Sequence, residues 1–233
     1  MFEINRHKFF LVQLLKDIYT DPELAVWLGF KGGTALMFFY DLPRFSTDLD
    51  FDLLNIEKEE ETYNKVKKIV MKHGAIFDEA KKFYGPLIVL DYGKSERKLK
   101  IEISNRNFGS SYEIKNLLGF SVKVMVAPDM FAHKLCALLD RVALTNRDIF
   151  DVWFFLNRQL PINRLIVETR MGVSLETHIE NCISQLNNMR PRHILDGLGE
   201  LMNSETKHFV KTRLLAETIS LLQFYQRFPI TNH

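Results

Sequence analysis

The sequence has few of the features that are typical of secreted proteins, zinc-binding proteins or membrane proteins. Its 233 residues include only two cysteines, Cys136 and Cys182, and no spacing of cysteine and histidine suits a zinc site. The thiols are therefore expected to be reduced. No apolar run is long enough to span a bilayer, and the first ten residues, MFEINRHKFF, contain scattered charges in place of a signal-peptide core. We expect a cytoplasmic protein with no membrane partner.

Charge and composition leave several functions open. The formal net charge is +2, which neither requires nor excludes nucleic acid as a partner. Apolar residues make up 46% of the chain, enough for a well-packed core. No internal repeat or low-complexity segment is present.

The predicted secondary structure changes near residue 127. Before it, helical patterns alternate with strand-like stretches, which include Ala25 to Lys31, the segment STDLDFDLL and KLKIEIS. After it, all periodic segments have helical spacing. We predict an α+β fold, with a mixed β-sheet flanked by helices in residues 1–127 and a helical domain in residues 128–233 that completes an active-site cleft.

Three aspartates alternate along one predicted strand. Asp48, Asp50 and Asp52 share one face, roughly 7 Å apart per two-residue step, and apolar residues occupy the other face. Carboxylates gathered in this way suit Mg²⁺, which binds a few carboxylates together with substrate phosphates. An edge strand that uses charge to deter aggregation shows the same pattern. Spacing alone fits both interpretations equally well.

Glu102 favours the metal interpretation. It alternates with apolar residues in KLKIEIS, and a strand placed beside the aspartate strand brings Glu102 alongside Asp48 and Asp50. Two aspartates and a glutamate can hold a pair of ions about 3.5–4 Å apart, as in phosphoryl-transfer sites. Taken alone, Glu102 is better interpreted as a surface residue between lysines.

A Gly-Gly pair precedes the aspartates. Gly32 and Gly33 lie between a predicted strand and a helix predicted over Thr34 to Leu42, where the backbone can approach a ligand closely. The start of a helix offers unpaired N–H groups to phosphate. Thr34 is a candidate helix cap or phosphate contact, and Lys31 and Arg44 are candidate cations. Gly-Gly alone usually marks a turn, but its closeness to the acidic triplet makes the combination more specific.

These residues resemble a known family. KGGTAL followed by LPRFSTDLDFDL is similar to the first motif of the nucleotidyltransferase AbiEii toxin family, within the DNA polymerase β-like superfamily. MFAHKLCALLDR and NRDIFDVW resemble the third and fourth motifs, and together the elements cover residues 31–153. The basic pair that commonly precedes the fourth motif is incomplete, since Thr145 and Arg147 stand there. The second motif has only a candidate, LKIEISNR, with Glu102 and Arg106.

The resemblance implies roles for further residues. It makes Lys134 a phosphate or substrate contact and Asp148 a catalytic-site residue, while a structural ion pair between helices remains the alternative for Asp148 and Asp151. It also implies a nucleotidyltransferase-type fold. Asp48, Asp50, Lys134 and Asp148 are thus the candidate catalytic residues. The candidate metal ligands are Asp48, Asp50 and Glu102, and the candidate nucleotide-binding residues are Lys31, Gly32, Gly33, Thr34 and Arg44.

The implied function is Mg²⁺-dependent transfer of a nucleoside monophosphate from an NTP to a hydroxyl. If the resemblance extends to the acceptor, this is RNA or the 3′ end of tRNA, and the partner is a winged-helix antitoxin. A nucleotidyltransferase acting on a small molecule or protein, and a non-catalytic scaffold that binds a partner, are the alternatives. Basic residues that could contact RNA phosphate, or form a solvated surface, are ERKLK and Arg190, Arg192, Lys207, Lys211 and Arg213.

Overall fold

The computed structural model describes residues 3–93, 96–140, 145–189, 194–195, 198 and 202–230. They form two compact units. The first comprises the chain up to Asp41 with Ser46–Asn107 and Ser111–Met125. The second comprises Leu42–Phe45, Phe108–Ser110 and the chain from Val126 onward. Arg190 and Arg192, which the sequence offers as RNA contacts, lie outside the described residues.

The first unit is built on a mixed sheet of seven strands among the described residues. In chain order these are β1 (Leu28–Lys31), β2 (Leu49–Leu53), β3 (Ala75–Lys82), β4 (Gly85–Asp91), β5 (Leu99–Ser104), β6 (Tyr112–Leu117) and β7 (Phe120–Met125). Their spatial order is β3-β4-β5-β2-β1-β7-β6. The central β2 runs antiparallel to β1 and parallel to β5, so acidic β2 lies in the middle of the sheet.

In the described part of the first unit, four helices accompany the sheet. They are α1 (Ile4–Thr20), α2 (Pro22–Trp27), α3 (Gly32–Phe39) and α4 (Glu59–Met71), the last preceded by a 3₁₀ turn at Ile56–Lys58. The apolar side of α1 is buried, and the Tyr19 ring contacts Phe51 of β2 at 6.4 Å between centroids. Phe51 also meets Phe30 of β1 at 5.3 Å. The apolar face of β2 therefore enters the core, which leaves Asp50 and Asp52 on the opposite face. Asp48, predicted to belong to the same strand, lies one residue before β2 begins.

The second unit is helical. Its helices are α5 (Ala127–Asp140), α6 (Asn146–Asn157), α7 (Arg164–Met171), α8 (Leu175–Asn187), α9 (Ser204–Thr212) and α10 (Leu214–Arg227). Phe131 of α5 and Phe155 of α6 are fully buried and stack with centroids 4.9 Å apart. This contact fixes the two helices that carry Lys134 and Asp148. Across the described part of the chain, no helix combines the length and apolarity that a bilayer crossing needs.

The predicted fold class is confirmed, but the strand predicted over Ala25 to Lys31 is half wrong. Residues up to Trp27 form α2, and only Leu28–Lys31 are strand. The reason lies in the preceding residues. The Asp21 carboxylate accepts hydrogen bonds from the backbone N–H of Glu23 and Leu24, and Pro22 occupies the first helical position. This cap outweighs the strand propensity of the segment.

Two further elements differ from the sequence prediction. Helix α3 begins at Gly32 and not at Thr34, so both glycines belong to its first turn. Strand β6 was not predicted from YEIKNL. It pairs with β7 through a tight turn in which Leu118 and Gly119 both have positive φ. A turn with a leucine in this conformation carries no clear sequence signal.

Candidate active site

The corner between β1 and α3 is shaped by Gly32. Its φ of +81° is readily adopted by glycine and strained for other residues. Its missing side chain also makes room for Asp50, because a β-carbon at Gly32 would lie 2.4 Å from Asp50 Oδ2. In the β1–β2 register Lys31 is opposite Asp50. The Asp50 carboxylate therefore lies directly against the backbone at the start of α3.

The first turn of α3 supplies the other half of this corner. Gly32 and Gly33 are its first residues, and Lys31 precedes it without a side-chain capping bond. First-turn N–H groups have no partner within a helix, and they carry the positive end of its dipole. Such groups bind phosphate. The corner thus combines donors suited to a phosphate with a carboxylate suited to a cation.

Thr34 links the start of α3 to the segment that carries the aspartates. Its hydroxyl is buried and donates a hydrogen bond of 2.5 Å to the backbone carbonyl of Asp48. A threonine hydroxyl has a single proton to donate, so this bond uses the donor that a phosphate contact needs. The phosphate contact predicted for Thr34 stays a prediction. What the structure gives Thr34 is a positioning role, in which it fixes Asp48 beside α3.

The strand that carries Glu102 is the direct neighbour of the strand that carries Asp50. Strand β5 runs parallel to β2, and Glu102 is the register partner of Asp50. Partners in register point to the same face of a sheet. The predicted neighbourhood of Glu102 and the aspartate strand is confirmed.

A lysine ammonium stands among these carboxylates. Lys100 Nζ lies 3.2 Å from Glu102 Oε2 and 3.9 Å from Asp48 Oδ2. Burial opposes the charged form of Lys100, but the charges of Asp50, Asp48 and Glu102 outweigh it and raise the pKa of the ammonium. Burial alone would likewise raise the pKa of the Glu102 carboxyl, yet Lys100, Lys82 and Lys31 lower it on balance. The Glu102 carboxylate is therefore held in the charged form beside the Lys100 ammonium.

The fit of this set to a magnesium ion rests on donor chemistry. Hard carboxylate oxygens are the ligands that Mg²⁺ prefers, and the Lys100 ammonium is a cation already placed beside Asp48 and Glu102. In the described ranges no three His, Cys, Asp or Glu side chains converge as closely as a formed metal site requires. The ligand role of Asp48, Asp50 and Glu102 stays a prediction.

Asp52 has a different environment from the other two aspartates. It is buried, Lys31 Nζ lies 2.5 Å from Oδ1, and the Tyr112 hydroxyl donates to Oδ2 at 2.7 Å. The Tyr112 ring passes over Gly29, where a β-carbon would lie 2.2 Å from Tyr112 Cε1. Both Asp52 oxygens are thus bonded within the fold. Lys31, predicted to contact phosphate, is bonded to Asp52, and its phosphate contact stays a prediction.

A second cluster of charges lies within the helical unit. Lys134 of α5 bonds Asp148 Oδ1 at 3.2 Å and Asp151 Oδ2 at 2.9 Å, both on α6. Thr145 donates to the other oxygen of Asp148 at 2.5 Å. Arg44 makes two bonds to Asp151, from Nε to Oδ1 at 2.7 Å and from Nη2 to Oδ2 at 2.6 Å. Two cations therefore balance two buried carboxylates.

Electrostatics keep Lys134 and Asp151 in their charged forms. Burial raises the pKa of Asp151, but Arg44 and Lys134 lower it further than burial raises it. Burial likewise lowers the pKa of Lys134, and Asp151 and Asp148 raise it on balance. The Arg44 side chain is 2% exposed and that of Lys134 is 16% exposed. Arg44, predicted to contact phosphate, is thus an internal counter-ion in the structure, whereas Lys134 retains some access to solvent.

Sequence reasoning missed three of these features. Neither Lys100 as the cation among the carboxylates, nor Tyr112 as the partner of Asp52, nor the Arg44–Asp151 pair was predicted. Lys100 was detectable in principle, since it shares a strand face with Glu102. Tyr112 and Arg44 reach partners far away in the chain, and nothing local signals them.

A mixed sheet with a Gly-Gly helix start facing a carboxylate strand, followed by a helical unit, defines the nucleotidyltransferase class of α+β proteins. The model of one family, described as the nucleotidyl transferase AbiEii toxin of type IV toxin–antitoxin systems, matches residues 13–216. The chain belongs to this nucleotidyltransferase family. No curated protein gives a significant match.

Solved structures agree with this fold. A candidate nucleotidyltransferase from H. pylori is 21% identical, with a TM-score of 0.58, and the similarity covers 96% of this chain and 95% of that one. JHP933 from Helicobacter pylori is also 21% identical, with a TM-score of 0.56 over 97% of this chain and 94% of the other. At this identity the likeness establishes the fold. The toxin family implies an antitoxin as partner.

Proposed function

We propose that the protein transfers a nucleoside monophosphate from an NTP to a hydroxyl of RNA, with tRNA as the preferred acceptor, and that the reaction depends on Mg²⁺. The observation that carries this proposal is the contact between Asp50 and Gly32. It joins a helix start suited to a triphosphate with a carboxylate suited to its counter-ion. Glu102, the register partner of Asp50, adds a second carboxylate to the same face.

The reaction balances without any further co-reactant. The acceptor oxygen forms a bond to the α-phosphorus, the bond from that phosphorus to the oxygen bridging to the β-phosphate breaks, and pyrophosphate leaves. The hydroxyl proton passes to solvent. Asp48, Asp50 and Glu102 would hold the metal, which supplies charge stabilisation at the phosphates and activation of the attacking hydroxyl. Gly32 and Gly33 would bind the triphosphate through their backbone N–H groups, and Thr34 keeps Asp48 in place.

In the helical unit we assign the substrate contact to Lys134. Its side chain is the more exposed of the two cations in its cluster, and Arg44 donates two bonds to Asp151. Asp148 accepts bonds from Lys134 and Thr145, so it orients the ammonium. A lysine ammonium balances phosphate charge as a point cation.

The acceptor and the partner rest on the family resemblance. We propose a winged-helix antitoxin as the partner implied by the family.

The test is transfer of label from each of the four α-³²P-labelled NTPs, with Mg²⁺, to total tRNA or to an aminoglycoside mixture. We expect label in tRNA with one preferred NTP, and none in the aminoglycosides. Asp50→Asn should abolish transfer. The matched control is Asp78→Asn, which changes an exposed aspartate on β3 of the same sheet and should transfer at the wild-type rate.

Each outcome bears on a separate part of the proposal. Label in the aminoglycosides alone would replace RNA by a small acceptor. Full transfer by Asp50→Asn would show that the corner at Gly32 is not the site. Absence of transfer together with wild-type toxicity of Asp50→Asn in cells would favour the non-catalytic scaffold.

A further inference from the structure

The turn between β3 and β4 presents two aromatic rings to solvent. Phe83 is 89% exposed and Tyr84 is 55% exposed, and their ring centroids lie 5.0 Å apart at a steep angle. Phe83 has the highest exposure of the large apolar side chains in the described part of the chain. Neither ring contributes to the core, so the fold alone does not explain why both positions are aromatic.

This turn is firmly anchored to the end of β5. Gly85 has φ of +109°, and a β-carbon there would lie 2.1 Å from the carbonyl oxygen of Ile103. The backbone N–H of Asn105 donates to the Tyr84 carbonyl at 3.1 Å, and the Asn105 side-chain amide donates to the Phe83 carbonyl at 3.3 Å. The rings are therefore presented by a fixed backbone, which limits the entropy that a ligand must remove.

Two cations that form no ion pair among the described residues belong to the same part of the sheet. The Arg106 guanidinium lies 4.7 Å from the centre of the Tyr84 ring. Lys82 immediately precedes Phe83 in the chain. Among the residues that the structure describes, no carboxylate forms an ion pair with Arg106 or with Lys82, in contrast to Lys81, which is bonded to Glu60. The charge of this surface is available to an anionic ligand.

The surface is close to the candidate active site within the same unit. Asn105, which holds the turn, is three residues beyond Glu102 along the chain, about 10 Å in extended backbone. Lys82 acts electrostatically on Glu102 and is one of the charges that lower its pKa. A polymer whose reacting end is at Glu102 can therefore reach the turn.

The chemistry of the turn selects one class of ligand. Exposed aromatic rings beside unpaired cations are the combination that binds single-stranded nucleic acid, where bases stack on the rings and cations meet the phosphates. A duplex keeps its bases stacked inside and offers no such partner. We propose that Phe83, Tyr84, Arg106 and Lys82 form a stacking surface for a single-stranded segment of the RNA acceptor. The inference rests on the proposed function, whose acceptor is RNA.

The experiment measures fluorescence anisotropy of a short labelled oligoadenylate at several salt concentrations, with the full-length protein. Phe83→Ala should weaken binding roughly tenfold, in the range measured for loss of one base–aromatic stack. Arg106→Gln should weaken binding and lower the slope of log K against log salt by about 0.7, the value for one phosphate contact on a single strand. Unlabelled duplex RNA should compete poorly.

Phe77→Ala is the matched control. Phe77 lies on the same hairpin, is 64% exposed, and has Lys98 at 4.9 Å over its ring. Lys98 is paired with Asp91 at 2.5 Å, so its charge is neutralised. Phe77→Ala should bind the oligonucleotide as the wild type does. Circular dichroism of all three variants checks the fold, which exposed side chains should leave unchanged.

Several results would overturn the inference. Wild-type affinity of Phe83→Ala, or equal competition by duplex RNA, would do so. Unchanged RNA binding with weakened binding of the antitoxin would make the turn a protein interface. If the wild type labels tRNA while Phe83→Ala changes neither the oligonucleotide affinity nor the KM for tRNA, this inference fails and the proposed function stands. If the wild type binds Mg²⁺ and NTP but labels no RNA and binds no oligonucleotide, the RNA acceptor fails as well.

Discussion

The Asp50 carboxylate occupies the space that a β-carbon on Gly32 would fill, with Oδ2 2.4 Å from that position. Gly32 and Asp50 are thereby a matched pair. The glycine is required for the positive φ at the helix start and for the room that the carboxylate takes. The pair brings the start of α3 and an acidic strand into one place, which neither segment achieves alone.

The first prediction concerns Gly32→Ala. The new methyl group collides with Asp50 and forces either the carboxylate or the start of α3 to move. Nucleotide transfer should fall by at least roughly a hundredfold, because displacements of about 1 Å at a reacting centre have effects of that size. Stability should fall by more than the roughly 1 kcal/mol expected for a left-handed alanine alone. The labelled-NTP assay measures the transfer rate, and urea unfolding measures the free energy of unfolding.

Gly119→Ala separates strain from collision. Gly119 has φ of +91°, and a β-carbon there meets nothing within 4 Å. Gly119→Ala should lower the free energy of unfolding through backbone strain and leave the rate of nucleotide transfer at the wild-type value. Equal loss of transfer in both variants would mean that the Gly32 effect is general destabilisation.

The second prediction concerns Lys100→Met. The Lys100 ammonium lies beside Asp48 and Glu102, and a bound divalent cation has to share or displace that position. Removing the lysine leaves the carboxylates without this counter-charge, so Mg²⁺ should bind more tightly. We expect about a tenfold gain, after allowance for screening of this partly exposed side chain. Isothermal titration with Mg²⁺ in the absence of NTP measures it.

Lys98→Met is the control for net charge. Lys98 lies next to the start of the same strand but is bonded to Asp91. Its replacement changes the overall charge equally and should leave Mg²⁺ affinity nearly unchanged. Equal affinities in the two variants would show that Lys100 has no specific relation to the metal.

The sequence predicted the main parts of the fold because the relevant signals are local. Alternation in LDFDL and KLKIEIS predicted strands, and a shared face of β2 and β5 put Glu102 opposite Asp50, as the structure confirms. The short α2 was missed because the cap formed by Asp21 and Pro22 outweighs the propensity of the residues after it. Hydrophobic periodicity and residue propensity predict secondary structure less well where a helix cap determines it.

The site was less predictable, since partners of charged residues depend on tertiary packing. Three aspartates alternate identically in sequence, yet Asp52 is bonded to Lys31 and Tyr112 while Asp50 lies against Gly32. The partner Tyr112 belongs to a strand two places away in the sheet from β1. No pattern within STDLDFDLL distinguishes one aspartate from another.

The third prediction concerns Arg44→Ala. Arg44 and Asp151 are both buried, and truncation leaves the Asp151 carboxylate with Lys134 alone. Loss of one partner of a buried ion pair costs about 3–5 kcal/mol in the free energy of unfolding. Arg164→Ala is the comparison, because Arg164 forms its pairs with Glu168 and Glu176 in solvent and should cost less than about 1 kcal/mol. Urea unfolding measures both, and similar losses would contradict the burial argument.

The fourth prediction concerns pH and His7. The ring is buried, Nε2 lies 2.8 Å from the Thr47 carbonyl and Nδ1 lies 2.6 Å from the Tyr92 hydroxyl. Since a carbonyl only accepts, Nε2 carries a proton, and in the neutral ring Nδ1 accepts from the Tyr92 hydroxyl. Burial lowers the pKa of His7, although the Thr47 carbonyl opposes this. The bonded Thr47 adjoins Asp48, so the neutral ring also supports the acidic strand.

The direction of the pH effect follows from this lowered pKa. The unfolded histidine takes up a proton near pH 6.5, before the folded one does. The stabilisation is therefore complete above about pH 6.5 and is lost as the pH falls towards the folded pKa, by at most about 1.4 kcal/mol per unit. His7→Gln keeps a donor and an acceptor and should flatten the decline in unfolding free energy between pH 7 and 5. Part of the slope should remain, because burial also lowers the pKa of His178. A wild-type slope in His7→Gln would show that the His7 ring does not couple folding to protons.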